Sequence, residues 1–190
     1  MTVAAVVLAA GAGRRFGGPK AEAVLGGRRF VDLVIQSASQ AKLDPIIVVV
    51  PPGVAGFPDE MVVVENGDAG AGLSRSLQLG LQSVPAWCAA ALILLGDQPT
   101  VPMANLRAVI DHPGTRPLRA AATSGRLAPP VWVARSHFAL AETVSGDRGL
   151  RDILSAHPDL VDLVPVTVHP PDIDTAADLE ALLRRLESDP

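Results

Sequence analysis

The segment with the clearest chemical meaning is a glycine-rich loop that follows the first apolar run, Val3–Leu8. Its glycines allow the backbone to turn sharply and to bring N–H groups close to a phosphate. Arg14, Arg15 and Lys20 add cationic donors, and an arginine can bind two phosphate oxygens at once. This combination predicts a loop that binds a polyphosphate.

The spacing of this loop discriminates between three phosphate-binding templates. A P-loop requires lysine directly after its last glycine and then serine or threonine, whereas here Pro19 precedes Lys20 and Ala21 follows. The loop does not match a dinucleotide-binding fingerprint either, because its glycine spacing differs by one residue and the next predicted strand does not end in an acidic residue. Residues 8–20 instead resemble the LxxGxGxR(M/F)GxxK loop that opens the nucleotidylyltransferases.

Further polar groups follow other apolar segments, at places where strands are expected to end. Asn66 comes after the run 61–64, and Asp97 comes after the strongly apolar run 89–95. Ligands of parallel sheets bind at the carboxyl ends of the strands, and Mg²⁺ prefers one or two carboxylates together with substrate phosphates. We therefore predict a Mg²⁺ site formed by Asp97 and Asp174, although Asp172 lies beside Asp174 and an N-capping role would also explain an acid there.

The elements that must position these residues alternate between short apolar runs and helical patterns, as in a parallel sheet with crossover helices. We expect a three-layer α/β/α, Rossmann-like fold of the nucleotide-diphospho-sugar transferase type, with a mostly parallel sheet and a single domain over 1–190. The run 89–95 is the most apolar and is predicted to be a central strand. Predicted strands are 3–8, 46–50, 61–64, 89–95, 120–123, 131–134 and 160–168, with a loop at 124–130. Predicted helices are 30–38, 73–84, 102–110, a segment ending at 143, 149–156 and 174–186.

Composition limits the classes of function. The chain has 190 residues, of which 48% are hydrophobic, so it can bury a substantial core in one domain. A net charge of -4 argues against broad nucleic-acid binding, and the single cysteine, Cys88, excludes an internal disulfide or a cysteine-based zinc cluster. No signal peptide or membrane-spanning run is visible, so we expect a cytoplasmic protein with no membrane partner.

Several ordered motifs resemble the MobA/MocA branch of the nucleotidyltransferases, and within it the molybdenum cofactor cytidylyltransferases. Leu8-Ala9-Ala10-Gly11 resembles the LAAG of cytidylyltransferases, whereas the guanylyl branch more often carries LAGG. Arg15-Phe16-Gly17 and Gly96-Asp97-Gln98-Pro99 also resemble the cytidylyl version. Further matches are Asn66 with 70–76, the segment 146–151 that resembles GDxGAR, and the segment 172–179 that resembles DIDTPEDL.

This resemblance implies Mg²⁺-dependent transfer of CMP from CTP to the phosphate of molybdopterin, with pyrophosphate leaving and a molybdoenzyme as recipient of the product. It implies catalytic roles for Lys20, Arg15 and Asp97, and metal binding by Asp97 and Asp174. The implied nucleotide-binding residues are Leu8, Ala9, Ala10, Gly11, Gly13, Arg14, Arg15, Lys20, Asn66, Gly72, Ser76 and Asp97. The implied acceptor-binding residues are Pro130, Arg148 and Arg151, of which the two arginines are equally suited to cap a helix.

One departure from the family pattern keeps alternatives open. Ala128-Pro129-Pro130-Val131 stands where relatives usually carry Gly-His-Pro-Val or Gly-Asn-Pro-Val, so a hydrogen-bonding side chain is replaced by proline. The alternatives are transfer with GTP or to another small phosphate, a non-catalytic nucleotide- or cofactor-binding protein, and, as the weakest, a nicotinamide-dependent redox enzyme.

Overall fold

The computed structural model describes residues 1–11, 13, 18, 22–68, 72–168, 170, 171, 173 and 175–188. The strands are β1 (Val3–Leu8), β2 (Val24–Leu25), β3 (Arg28–Arg29), β4 (Ile46–Val50), β5 (Val62–Glu65), β6 (Ala90–Leu95), β7 (Leu118–Thr123), β8 (Arg126–Ala134) and β9 (Val161–Pro165). The α-helices are α1 (Phe30–Gln40), α2 (Gly72–Gln82), α3 (Met103–Ile110), α4 (Leu150–Ala156) and α5 (Ala176–Ser188). Two 3₁₀ helices span Arg135–Thr143 and Pro158–Leu160.

A seven-stranded sheet in the order β5-β4-β1-β6-β8-β7-β9 forms the centre of the molecule. β8 pairs antiparallel with both β6 and β7, whereas the other neighbouring pairs are parallel. Six strands therefore end at the same side of the sheet, here called the carboxyl edge, and β8 begins there. β6 is fourth in the order and is buried along almost all of its length, which confirms the prediction of a central strand.

Helices cover both faces of the sheet, which confirms the predicted three-layer architecture. Along β1, Val7 packs into a core on the side of α1 and α3, and Val6 packs into a second core on the side of α2 and α4. A small third group, here called the corner cluster, joins the start of α1 to α5. The corner cluster consists of Ala23, Leu25, Phe30, Ile173 and Leu182.

The region predicted as a loop at 124–130 is largely strand, so that prediction was wrong. Thr123 pairs with Arg126, and the two-residue turn between them has positive φ at both Ser124 (50°) and Gly125 (78°), as tight hairpins require. The register then shifts: Ala120 pairs with Val131, but Ala121 pairs with Ala128. Two prolines, Pro129 and Pro130, thus form a bulge, where the missing proline N–H groups cost no ladder hydrogen bonds.

Other boundaries also differ from expectation. The segment after β8 is a 3₁₀ helix and not an α-helix, the predicted strand 160–168 is limited to β9, and the short hairpin of β2 and β3 was not predicted. A capping box between Thr175 and Asp178 begins α5, since the Asp178 carboxylate accepts from the N–H and hydroxyl of Thr175, both at 2.8 Å. None of the helices formed by the described residues is long and apolar enough to cross a membrane.

Candidate active site

The ends of β1 and β6 lie against each other at the carboxyl edge. The Gly96 N–H donates to the Leu8 carbonyl oxygen at 2.9 Å, and a Cβ added at Gly96 would lie 2.6 Å from the Cβ of Ala9. Ala9 and Ala10 are both buried, so the backbone that leads into Gly11 is fixed by close packing. Two of the predicted motifs, LAAG and Gly-Asp-Gln-Pro, are therefore in direct contact.

Asn66 and Ser76, both predicted to contact the nucleoside, are joined to each other. The Asn66 Nδ2 donates to the Ser76 Oγ at 3.0 Å, and both side chains are buried. The Asn66 Oδ1 accepts from the N–H of Asp68 at 3.1 Å. Asn66 thus ties the turn after β5 to the first turns of α2, which gives this residue a positioning role in the structure.

Gly72 connects α2 to the turn at Gly146. Its φ is +75°, and an added Cβ would lie 2.3 Å from the carbonyl carbon and oxygen of Gly146. The Ser74 N–H donates to that same carbonyl oxygen at 3.1 Å. Only glycine fits this approach, and it brings together two segments that the sequence separates widely, 66–76 and 146–151.

The Asp97 turn is in contact with the acidic segment near the end of the chain. Asp97 is half-buried, and its carbonyl oxygen accepts from the Ile173 N–H at 3.3 Å. Ile173 is fully buried in the corner cluster and lies between Asp172 and Asp174 in sequence. The predicted residues Arg14, Arg15, Lys20 and Asp174, and the neighbouring Asp172, lie outside the described residues.

The chain between β9 and Ile173 is held by specific hydrogen bonds. The Thr123 hydroxyl donates to the Val166 carbonyl oxygen at 2.7 Å. The Asn105 Nδ2, on a side chain that is only 2% exposed, donates to the Val168 carbonyl oxygen at 2.7 Å. β7 and α3 therefore direct this segment across the carboxyl edge towards Asp97.

Two adjoining cavities open where β6 ends and β8 begins. The polar cavity, of about 190 Å³, is lined by Leu95, Gln98, Arg126, Ala128, Pro129, Arg151, Pro170 and Pro171. The apolar cavity, of about 250 Å³, is lined by Leu73, Leu95, Leu127, Ala128, Pro129, Val131, Asp147, Gly149, Leu150, Arg151, Asp152 and Leu154. They share four lining residues: Leu95, Ala128, Pro129 and Arg151.

The three predicted acceptor residues occupy different environments. Arg151 lines both cavities, whereas Arg148 is exposed and lines neither of these two. Pro130 is buried, and its neighbour Pro129 is the proline that lines both. Sequence reasoning missed Arg126, whose position becomes predictable only when Ser124-Gly125 is identified as a two-residue hairpin turn.

Two ionisable groups with shifted pKa values lie outside the two cavities. Burial raises the pKa of the Cys88 thiol, and the hydrogen bond to Asp32 raises the pKa of Arg29; neither residue lines the two cavities. No group of three or more histidine, cysteine, aspartate or glutamate side chains able to hold a metal occurs within the described part of the chain.

Comparison with known proteins identifies a family and a fold. The family model described as "MobA-like NTP transferase domain" matches residues 5–161. The Rv0371c homolog from Mycobacterium sp. strain JC1 is similar in structure, with a TM-score of 0.85 and 26% identity over 98% of this chain and 97% of that one. Rv0371c from Mycobacterium tuberculosis H37Rv, solved in complex with manganese, has a TM-score of 0.82 and 27% identity over 97% of this chain and 99% of that one.

A more distant structure shares the fold alone. The inositol-1-phosphate CTP transferase from T. maritima has a TM-score of 0.77 and 19% identity, over 98% of this chain and 95% of that one. The search of curated proteins found no match.

Proposed function

The chain belongs to the MobA-like NTP transferase family, and we propose that it transfers CMP from CTP to the phosphate of molybdopterin. The observation that carries this proposal is the hydrogen bond between Ile173 and Asp97 at the carboxyl edge. It brings the turn after β6 beside a segment that contains two aspartates, next to the end of β1 from which the glycine-rich loop departs. Nucleotidyl transfer requires such a convergence of carboxylates and phosphate-binding backbone.

In the proposed reaction an acceptor phosphate oxygen attacks the α-phosphorus of CTP. The bond from that phosphorus to the bridging oxygen of the β-phosphate breaks, and pyrophosphate leaves with no covalent enzyme intermediate. Lys20 and Arg15 are proposed to bind the triphosphate, with Arg14 and the backbone of Gly11 and Gly13 beside them. These cationic groups would offset the charge that develops on the leaving group.

Mg²⁺ is the proposed cation, with Asp97 and Asp174 as its protein ligands. The half-buried Asp97 carboxylate, beside a segment with two more carboxylates, provides the hard oxygen ligands that this ion prefers. The manganese bound in the structure of Rv0371c supports a divalent cation in this family. When bound, such an ion neutralises phosphate charge and polarises the phosphorus–oxygen bonds.

The preference for CTP is proposed from the packing of Ala10. Its side chain is 4% exposed and packs into the core on the side of α2, and the guanylyl branch more often has glycine at this position of the motif. The match of Leu8-Ala9-Ala10-Gly11 to the cytidylyl form of this motif supports CTP as the proposed donor.

The test is pyrophosphate release by the purified protein with Mg²⁺ and molybdenum-loaded molybdopterin, with CTP compared against GTP. We expect release with CTP, its loss in Asp97→Asn, and a shift towards GTP in Ala10→Gly. Release with GTP above that with CTP would contradict the nucleotide assignment. Binding of CTP without any release would leave the donor site intact and contradict molybdopterin as the acceptor.

A further inference from the structure

We propose that the two adjoining cavities form one bipartite acceptor site for a phosphate monoester with an apolar body. In this site the polar cavity binds the phosphate, and the apolar cavity binds the body of the molecule. The role of this site in turnover rests on the proposed transfer reaction, but its ligand preference follows from the cavities themselves.

Charge favours a phosphate in the polar cavity. Arg126 and Arg151 both line this space of about 190 Å³, and no carboxylate occurs among the described residues that line it. Gln98, whose side chain is 4% exposed, adds an amide to the same wall. Two guanidinium groups around a small volume are suited to a phosphate dianion, because each can donate two hydrogen bonds to its oxygens.

The apolar cavity has the opposite character. Eight of its twelve described lining residues are aliphatic or proline: Leu73, Leu95, Leu127, Ala128, Pro129, Val131, Leu150 and Leu154. Two carboxylates also line it, and that of Asp152 accepts from the Gly149 N–H at 3.0 Å. Apolar surface attracts an apolar group, while the carboxylates disfavour a phosphate at this end.

The bulge in β8 forms the wall between the two cavities. Pro129 lines both of them at the position where the related motif carries histidine or asparagine, and proline offers neither a polar side chain nor an N–H. A ligand that crosses this wall therefore meets ring carbons in place of a hydrogen-bonding group. Arg151 lines both cavities, so it marks the point at which the phosphate joins the body.

The orientation of the ligand follows from the neighbours of the polar cavity. Gln98 directly follows Asp97, so a phosphate in this cavity lies on the side of the proposed metal site. The apolar body then points away, towards α4 and the start of α2. This arrangement presents the acceptor phosphate to the nucleotide and keeps the body clear of it.

The experiment measures binding of phenyl phosphate, glycerol 3-phosphate and inorganic phosphate to the nucleotide-free protein by calorimetry. We expect phenyl phosphate to bind at least about tenfold more tightly than glycerol 3-phosphate, since only its ring fills the apolar cavity. Arg126→Gln should weaken all three ligands by about tenfold. Arg184→Gln is the matched control, because Arg184 is exposed on α5 and lines neither cavity.

A second pair of variants tests the apolar part without disturbing the core. Leu73 is 37% exposed at the cavity wall, so Leu73→Gln should weaken phenyl phosphate and leave glycerol 3-phosphate unchanged. Leu163→Gln, at a 57% exposed position on β9, should change neither. Equal binding of the two esters, or an equal effect of Leu73→Gln on both, would overturn the proposal.

Failure of this inference is distinguishable from failure of the proposed function. Ester selectivity without CTP-dependent pyrophosphate release would refute the transfer reaction and leave the bipartite site. CTP-dependent transfer to molybdopterin without ester selectivity would refute the bipartite site and leave the transfer reaction.

Discussion

The two halves of the central sheet differ in strand direction and in how their candidate residues are arranged along the sequence. The donor half (β5, β4, β1 and β6) is entirely parallel, whereas the acceptor half (β8, β7 and β9) contains the one reversed strand and its bulge. In the donor half the candidate residues stand in short motifs directly after strand ends. In the acceptor half the cavity walls come from separate segments of the chain. The proposed nucleotide site is thus formed mainly by short local motifs, whereas the proposed acceptor site is formed by tertiary structure.

The largest effect is expected where the two halves meet, at Asp97. Asp97→Asn should lower kcat by about 100- to 1,000-fold, because a neutral amide cannot balance the cation that offsets phosphate charge. Binding of metal-free CTP and of phenyl phosphate should be unchanged, since the variant keeps the backbone contact to Ile173. Asp111→Asn, at the exposed end of α3, is the control. Full turnover in Asp97→Asn would remove Asp97 from the proposed metal site.

The next largest effect is expected at Gly72, where the start of α2 approaches Gly146 closely. Gly72→Ala should lower the free energy of unfolding by about 2–4 kcal/mol, because the cost of a positive φ in alanine and the cost of a clash with the Gly146 carbonyl are summed. Gly53→Ala has a similar φ of +81° and open space around the new Cβ, so it should cost only about 1–2 kcal/mol. Chemical denaturation measures both variants. Equal losses would show that the close approach to Gly146 contributes nothing.

A smaller effect should be confined to the donor half. Asn66→Ala removes two hydrogen bonds of a buried side chain, one donated to Ser76 and one accepted from Asp68. The losses in the free energies of CTP binding and of unfolding should sum to about 1–3 kcal/mol. Calorimetry with CTP should show the weakened binding. An equal loss of phenyl phosphate affinity would break the distinction between the two halves.

The smallest effect should be confined to the acceptor half. Asn105→Ala removes one hydrogen bond to the Val168 carbonyl oxygen, which should cost about 1 kcal/mol in stability. The segment that carries Pro170 and Pro171 loses this support, so phosphate-ester binding should weaken while metal-free CTP binding is unchanged. Thermal unfolding and calorimetry measure the two effects. A change in CTP binding alone would contradict the assignment of this segment to the acceptor half.

The sequence predicted the strand boundaries of the donor half better than those of the acceptor half. Buried runs such as Ile46–Val50 identify parallel strands directly, and their polar successors, Asn66 and Asp97, mark the carboxyl edge. The bulge at Pro129 was predicted as a loop, because prolines usually interrupt strands and the register shift depends on pairing with β7. Likewise Leu73 and Leu154 show an ordinary helical pattern, and only packing reveals that they face one cavity.

The hairpin tip formed by β7 and β8 carries Arg126 and Pro129, which both line the polar cavity. Below the bulge, the pairs from Leu118 with Val133 to Ala120 with Val131 fix the register. Beyond it, three further pairs, from Ala121 with Ala128 to Thr123 with Arg126, lead to a two-residue turn. A graft of residues 124–130 from a relative would replace Arg126 and Pro129 together, without moving the strands beneath. Such an exchange is expected to change the proposed acceptor site and to leave the proposed nucleotide site unchanged.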